Sequence, residues 1–376
     1  MVNAVISEFN PFHNGHRYLL QKAREKTGAD YTVCFMSGDF VQRGDIAFAD
    51  KHTRAAAACR HGADVVFQLP TAHVIAGASV FGGAGVFCAD ALGVNTSLCF
   101  GSETEDISPL FSLAKVDRTM LAVHLKEGVK SGKSFARAMM DAYTACGAEG
   151  VALLKSPNNL LAFEYIKAAV ETNADIDIVN ILRAGTDHDS AFTSGEFASA
   201  SFIRSNGGDN SIYMPEPITS AVDRERFEAL LLYSVLCKSP SELAQFADMN
   251  EGLENKFAEA ARQAKTADEL YEKVKSKRYT HAKIRRAALS VLLKNPKGLY
   301  KKQVPYLKVL SFNDRGRELL KTLGKTCKIP IVTKASDGEK ISPEHFALEC
   351  RASDIYDLCR HKNGGREYTL SPIYVI

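Results

Sequence analysis

The stretch VNAVISEFNPFHNGHRYLL, residues Val2 to Leu20, decides how the rest of the chain is read. Its apolar run of Val2, Ala4, Val5 and Ile6 suits a buried parallel strand, which Asn10-Pro11 ends in a turn. His13-Asn14-Gly15-His16 then stands at the mouth of a helical pattern that continues to Lys26. Anions favour that place, because the first N–H groups of a helix are free and the positive end of its dipole faces outward. Two imidazoles three residues apart lie on one face of a helical turn and can donate to the same phosphate oxygens. Gly15 between them permits a close approach of backbone and phosphate. The same spacing also occurs in half of a metal site or on an ordinary surface. The flanking strand and helix favour phosphate.

Working outward, strand and helix patterns alternate. Tyr31 to Met36 reads as a second buried strand ending in the polar loop Ser37 to Gly44, which should line the same crevice as His13 and His16, since ligands bind beyond the carboxyl ends of strands in an open parallel sheet. A helical pattern over Lys51 to His61 precedes a third strand, Asp64 to Leu69, closed by Pro70. The glycines of Val74 to Leu92 lack GxGxxG spacing and read as close helix packing. Leu98 to Phe100 is a fourth strand, with Gly101 at its end either in a simple turn or against a purine or ribose. Ser156-Pro157-Asn158-Asn159 opens a helical run, so one of its asparagines is a candidate cap. Ile176 to Leu182 is a fifth strand, and Arg183 at its carboxyl end has a guanidinium fork suited to phosphate. Ser199 and Ser201 open a further helical pattern with Arg204 shortly after, as caps or as triphosphate donors. Gly128 to Ser134 imitates a Walker A loop, but only three residues separate its glycines and it follows a helix, so it reads as a solvated connection. The class is α/β, a doubly wound parallel sheet.

With 376 residues, 45% apolar and 24% charged content, the chain suits a soluble globular protein with one large or two ordinary cores. A net charge of +3 means that any nucleic-acid contact depends on local clusters of Lys and Arg. Nine cysteines without a CxxC pair read as reduced thiols of a cytoplasmic protein, and no apolar run is long enough to span a bilayer. Composition shifts near Met214 to Pro217, which divides the chain into a catalytic domain, residues 1–215, and a mainly helical domain, residues 216–376. Within the second lies a basic run in which Lys277, Arg278, Lys283, Arg285 and Arg286 could meet RNA phosphates while Tyr279 stacks on a base. A plain solvated helix face is the alternative.

At His13-Asn14-Gly15-His16 the chain resembles the HxGH nucleotidylyltransferase superfamily, which binds ATP phosphates with this signature. Ser7 to Phe12 before it and Ser37 to Gly44 after it are similar to a narrower family, the tRNA(Met) cytidine acetate ligases. Phe100 to Glu103, Ser156 to Leu161, Arg183, Ser199 to Arg204 and the basic run extend the resemblance over most of the chain. The resemblance implies a HUP or Rossmann-like nucleotidylyltransferase fold. It also implies that ATP and acetate form acetyl-adenylate with loss of pyrophosphate, and that the wobble cytidine of elongator tRNA(Met) takes the acetyl group, yielding N4-acetylcytidine and AMP. ATP contacts then fall on Ile6, Ser7, Glu8, Phe9, Asn10, Pro11, Phe12, His13, Asn14, Gly15, His16, Arg17, Tyr18 and Leu19, and on Gly101, Asn158, Asn159 and Arg183.

The superfamily's ISSTxxR-like element falls on Ala198 to Arg204, with Ser199 and Ser201 as hydroxyl donors and Ala200 where a serine is usual. His13, His16 and Arg204 are the implied catalytic residues. Attack of a carboxylate on the α-phosphate joins two anions, so such a site must neutralise charge and position its reactants. Mg²⁺ is expected to arrive with ATP, and no dedicated metal cage is visible. The KMSKS loop of class I synthetases is missing, which argues against aminoacyl transfer. Two other readings stay open: a small-molecule adenylyltransferase making a coenzyme A or NAD precursor, and an RNA-binding protein with a degenerate nucleotide site.

Overall fold

The computed structural model describes residues 1–183, 195–206 and 208–376. Its strands are β1 (Val2–Ser7), β2 (Tyr31–Ser37), β3 (Phe40–Val41), β4 (Asp45–Ile46), β5 (Val65–Leu69), β6 (Thr96–Ser102), β7 (Asp177–Leu182), β8 (Leu307–Phe312), β9 (Ile331–Val332) and β10 (Ile373–Tyr374). β3 and β4 form a small antiparallel hairpin, and the others make one sheet in the order β10-β8-β5-β2-β1-β6-β7, with β9 also on β8. From β5 to β7 every pairing is parallel. The expected doubly wound α/β sheet is therefore present.

β1 is buried along its whole length because it lies at the centre. Its side chains alternate between faces: Val2, Ala4 and Ile6 join one hydrophobic cluster, whereas Val5 joins another with Phe9, Phe12 and Leu20. Strand order reverses at β1, the place where such sheets bind ligands. β1 pairs with β2 through Ser7↔Met36 but with β6 only as far as Ala4↔Leu98, so β1 and β6 part toward their carboxyl ends. The glycine-rich helix Ala78–Asp90 packs close by, as anticipated. A Cβ on Gly85 would lie 2.3 Å from Ile6 Cδ1, and one on Gly82 would lie 3.1 Å from Tyr165 Cδ1.

The second half differs from expectation in one respect. Helices Arg224–Leu236, Leu253–Ala261, Ala267–Val274 and His281–Leu292 follow one another as anticipated. The chain then re-enters the sheet: β8 runs antiparallel to β5, and β9 and β10 pair with its other edge. Thus residues 307–376 share a sheet with residues 2–182, across the 215/216 division read from composition. A six-residue strand between helices shifts composition too little to announce itself. Residues 128–134 form no phosphate loop: 128–130 end helix Arg118–Lys130, and 131–134 connect it to helix Phe135–Ala145, which Ser134 caps. All nine cysteines are free, and Cys34, Cys59, Cys88, Cys99 and Cys359 are buried. Among the described residues no helix is long and apolar enough to cross a membrane.

Candidate active site

Helix Asn14–Thr27 begins with an unusual cap built from two histidines. His13 Nδ1 accepts the Gly15 N–H at 3.1 Å, and His16 Nδ1 accepts the His13 N–H at 3.3 Å, which reproduces a capping box in imidazole form. Each Nδ1 is an acceptor, so the proton of each neutral ring sits on Nε2. The rings stack with centroids 3.7 Å apart and both can present an N–H to one ligand. Gly15 is required here: a Cβ would come within 2.9 Å of His13 Cε1. Burial, aided by Arg183 and Arg204, lowers the His13 pKa to about 3. Burial, with His13 and Arg183 beside it, holds His16 well below the usual imidazole range. The pair therefore acts as neutral hydrogen-bond donors, and positive charge must come from arginine and the helix N-terminus.

Two arginines supply it. Arg183 continues β7: its N–H donates to Ser102 O at 3.0 Å, and its stem passes Gly101, where a Cβ would sit 3.3 Å from Arg183 Cγ. Its Nη1 donates to Asn158 Oδ1 at 3.4 Å, while its Nε is buried with no hydrogen-bond partner among the described residues. Arg204, on the short helix Ala200–Ser205, donates to Asn10 O at 2.7 Å and to Ser201 Oγ at 3.2 Å. Ser199 caps that helix by accepting the Phe202 N–H, so of the two serines it is Ser201 that orients the guanidinium.

The asparagine pair divides its work. Asn159 is buried, its Oδ1 accepting the Glu103 N–H at 2.9 Å, which is a scaffold role. Asn158 donates to Glu103 Oε1 at 2.6 Å and faces Arg183; Ser156 occupies the other Glu103 oxygen. Residues 6–19 divide likewise. Phe9 and Phe12 are core residues whose rings flank His16, at centroid distances of 4.9 and 5.7 Å. Asn10 Oδ1 accepts the Phe48 N–H. Asn14 donates to Glu196 O and Ile212 O, so its amide is turned to the protein. Arg17 lies 3.8 Å from Glu196, and Tyr18 and Leu19 pack on the cluster around Phe12. Pro11 is buried, and Ser7 Oγ, at the end of β1, is buried with no partner among the described residues.

Glu8 and the loop after β2 complete this wall. Glu8 Oε1 accepts the Gln42 N–H at 2.6 Å, and burial raises its pKa against the pull of Arg43, Arg204 and Arg54. Arg54, fully buried, donates to the carbonyls of Glu8, Gly38 and Ala49 at 2.8 Å for the last, and so ties β1 to β2 beyond their ends. Behind it Asp39 meets Lys51 at 3.5 Å, Arg366 at 3.0 Å and Ser353 at 2.9 Å, and Glu367 meets Lys51, Lys308 and Ser353. Sequence reasoning missed this layer, because Asp39 and Lys51 are more than 300 residues from Ser353, Arg366 and Glu367, and no local pattern joins the two groups. A surface cavity of about 520 Å³ lined by Asn95, Thr96, Asp177 and Lys328 lies at the opposite, amino ends of β6 and β7, away from the histidines.

The basic run is only partly available to a partner. Tyr279 is 5% exposed and its hydroxyl donates to Glu251 O at 2.5 Å, so the expected stacking on a base is corrected: the ring is in the core. Arg286 is buried against Asp248 at 3.2 Å, Lys283 lies 3.5 Å from Glu251, and Arg285 lies over Tyr271 and 3.8 Å from Asp268. Lys277 and Arg278 are exposed. Gly44, with φ +80°, touches this helix so closely that a Cβ would fall 2.5 Å from Arg286 N, which seats the loop after β2 on the helical segment. Among the described residues no three His, Cys, Asp or Glu side chains gather to hold a metal.

Comparison with known proteins bears on this geometry. A family model described as HIGH Nucleotidyl Transferase matches residues 1–369. A tRNA(Met) cytidine acetate ligase of Thermoanaerobacter sp. (strain X514) is 36% identical over 384 residues, covering 96% of this chain and 95% of that protein. That of Caldicellulosiruptor saccharolyticus is 36% identical, covering 99% and 98%. The apo crystal structure of Thermotoga maritima TmcAL superposes with a TM-score of 0.92 at 31% identity, covering 100% of this chain and 99% of the other. Its form bound with alpha-thio ATP superposes with a TM-score of 0.88.

Proposed function

Because the chain belongs to the HIGH nucleotidyl transferase family and, within it, to the tRNA(Met) cytidine acetate ligases, we propose that it joins acetate to the wobble cytidine of elongator tRNA(Met) at the expense of ATP. Acetate attacks the α-phosphorus, pyrophosphate leaves, and the acetyl group of the resulting adenylate passes to the exocyclic amine of cytidine, with release of AMP. The observation that carries this reading is the histidine cap. Two Nε2–H donors on stacked rings, at a helix N-terminus and at the strand-order switch point, converge where a triphosphate would lie. His13 and His16 bind the phosphates as uncharged donors, while Arg183 and Arg204 offset the charge that develops on the departing pyrophosphate. Asn158 and Gly101 line the nucleoside side, and Asn159 holds that wall from behind. Mg²⁺ would arrive with the phosphates of ATP and help to offset their charge.

Transfer of RNA to this site is the task of the helical segment. Between Glu272 and Asp314 no acidic residue occurs, whereas twelve Lys and Arg do. Among them Lys277 and Arg278 are exposed in the turn just before helix His281–Leu292 and meet phosphates there. We assign the protein to the cytoplasm, where its tRNA and ATP are. Incubating it with ATP, labelled acetate and tRNA, then digesting the RNA for mass analysis, should yield acetylated cytidine. Pyrophosphate release that ignores acetate but responds to nicotinamide mononucleotide or phosphopantetheine would replace this reading with that of a small-molecule adenylyltransferase.

A further inference from the structure

Acyl transfer to the amine leaves one proton to be removed, and the crevice contains few groups able to take it. His13 and His16 are excluded by their hydrogen bonds: each Nδ1 accepts a backbone N–H and each Nε2 carries its own proton. Glu103 has both carboxylate oxygens occupied, by Ser156 and by Asn158. Asp39 is enclosed by Lys51, Arg366 and Ser353. Glu8 stands apart from these. It directly follows β1, at the point where β1 and β6 separate, and is half-buried. Its Oε1 is fixed by the Gln42 N–H, and among the described residues Oε2 has no hydrogen bond. Arg204 acts electrostatically on both Glu8 and His13, which places the carboxylate beside the phosphate end of the site.

We infer that Glu8 is the general base of the second step, its Oε2 receiving the proton that the cytosine amine loses. The inference rests on the acetate-ligase reading above. In the step, the amine nitrogen forms a bond to the acetyl carbon and the bond from that carbon to the phosphate oxygen breaks. The electron pair leaves with AMP, and the surplus N–H proton passes to Glu8. An exocyclic cytosine amine is a weak nucleophile whose proton becomes acidic only as the new C–N bond forms, so a base already positioned shortens the lifetime of the charged intermediate. Burial raises the Glu8 pKa toward the range in which a carboxylate accepts a proton usefully.

The test supplies chemically prepared acetyl-adenylate and tRNA in a single turnover, which bypasses the first step. For the wild type the transfer rate should rise with pH and then level as Glu8 ionises. Glu8→Gln should transfer at least about a hundredfold more slowly and lose that acid limb. Glu8→Asp, with its carboxylate withdrawn by one methylene, should keep the limb at a reduced rate. Thermal melts of both variants identify a folding defect, and if Glu8→Gln does not fold, Glu8→Asp alone decides by whether its limb is kept or lost. Transfer by a folded Glu8→Gln at the wild-type rate, or with the limb unchanged, overturns the inference. A wild type that transfers from prepared acetyl-adenylate yet releases no acetate-dependent pyrophosphate from ATP would instead remove the parent reading of the first step.

Discussion

Two clusters of charge lie close together in this fold and obey opposite rules. In the crevice, the donors are incompletely matched: two neutral imidazoles present their Nε2–H groups, and among the described residues Arg183 Nε and Ser7 Oγ have no hydrogen-bond partner. In the layer behind it, Asp39, Lys51, Ser353, Glu367, Lys308 and Arg366 answer one another. Burial alone would raise the Asp39 carboxyl, yet Arg366 and Lys51 hold it well below the usual carboxylate range, and Lys51 and Lys308 do the same for Glu367. Donors at a helix N-terminus that are not spent on the protein are available to an anion, whereas a closed ionic set holds elements together. The lesson is that the crevice keeps donors turned to a ligand, whereas the charges behind it are spent on one another and tie distant elements together.

The largest expected effect comes from opening the closed set. Lys51→Met removes the cation shared by Asp39 and Glu367, and should cost about 3–5 kcal/mol of stability in urea denaturation, as breaking a buried pair does. A loss below about 1 kcal/mol would mean that the layer is not a foundation. Next, His16→Ala should lower acetate-dependent pyrophosphate exchange by about 10²–10³-fold, the scale for one donor to developing charge. The lost cap should cost only about 1 kcal/mol of stability. A variant equally impaired in tRNA binding would contradict the assignment of His16 to phosphate alone.

Acidification separates the clusters further. His52 and His345 have folded pKa values of about 4, chiefly through burial, below the ordinary value of about 6.5. Below pH 6.5 the unfolded chain takes up their protons first. Their contribution is therefore complete above 6.5 and is lost as pH falls toward 4, on the order of 1–2 kcal/mol each. Melting temperature should fall steadily from pH 7 to pH 5, and less so in His345→Gln. The smallest effect concerns the surface. Lys277→Ala with Arg278→Ala should reduce the salt dependence of tRNA binding by about two units of slope and leave stability unchanged. Lys283→Ala with Arg286→Ala should instead lower the melting temperature, because those residues hold Glu251 and Asp248.

Much of the site was legible before any fold was known. The apolar run of β1, the turn at Asn10-Pro11 and the paired histidines are local patterns, and local hydrogen-bonding physics suffices to place them at a helix start. Arg183 and Gly101 were legible through position, since residues at the carboxyl ends of parallel strands share one crevice. The roles within pairs were not. Asn158 and Asn159 differ only in which side of one helical turn faces the protein, and Ser199 and Ser201 differ in the same way. Tyr279 in its basic surroundings reads as a stacking ring, yet burial beside Glu251 is decided by helices far along the chain.

What this chain determines by itself is its periodicity: five strands alternating with helices, and a capped turn of two histidines bringing donors to an anion. These follow from interactions among residues a few positions apart. Only the tertiary structure decided which charges are closed off and which stay available. The return of β8 to the sheet, the layer joining Asp39 and Lys51 to Ser353 and Glu367, and the seating of Gly44 on Arg286 all join residues more than 200 positions apart. No sequence window contains both partners, and their energy exists only once the backbone has brought them within hydrogen-bonding distance and excluded water from between them.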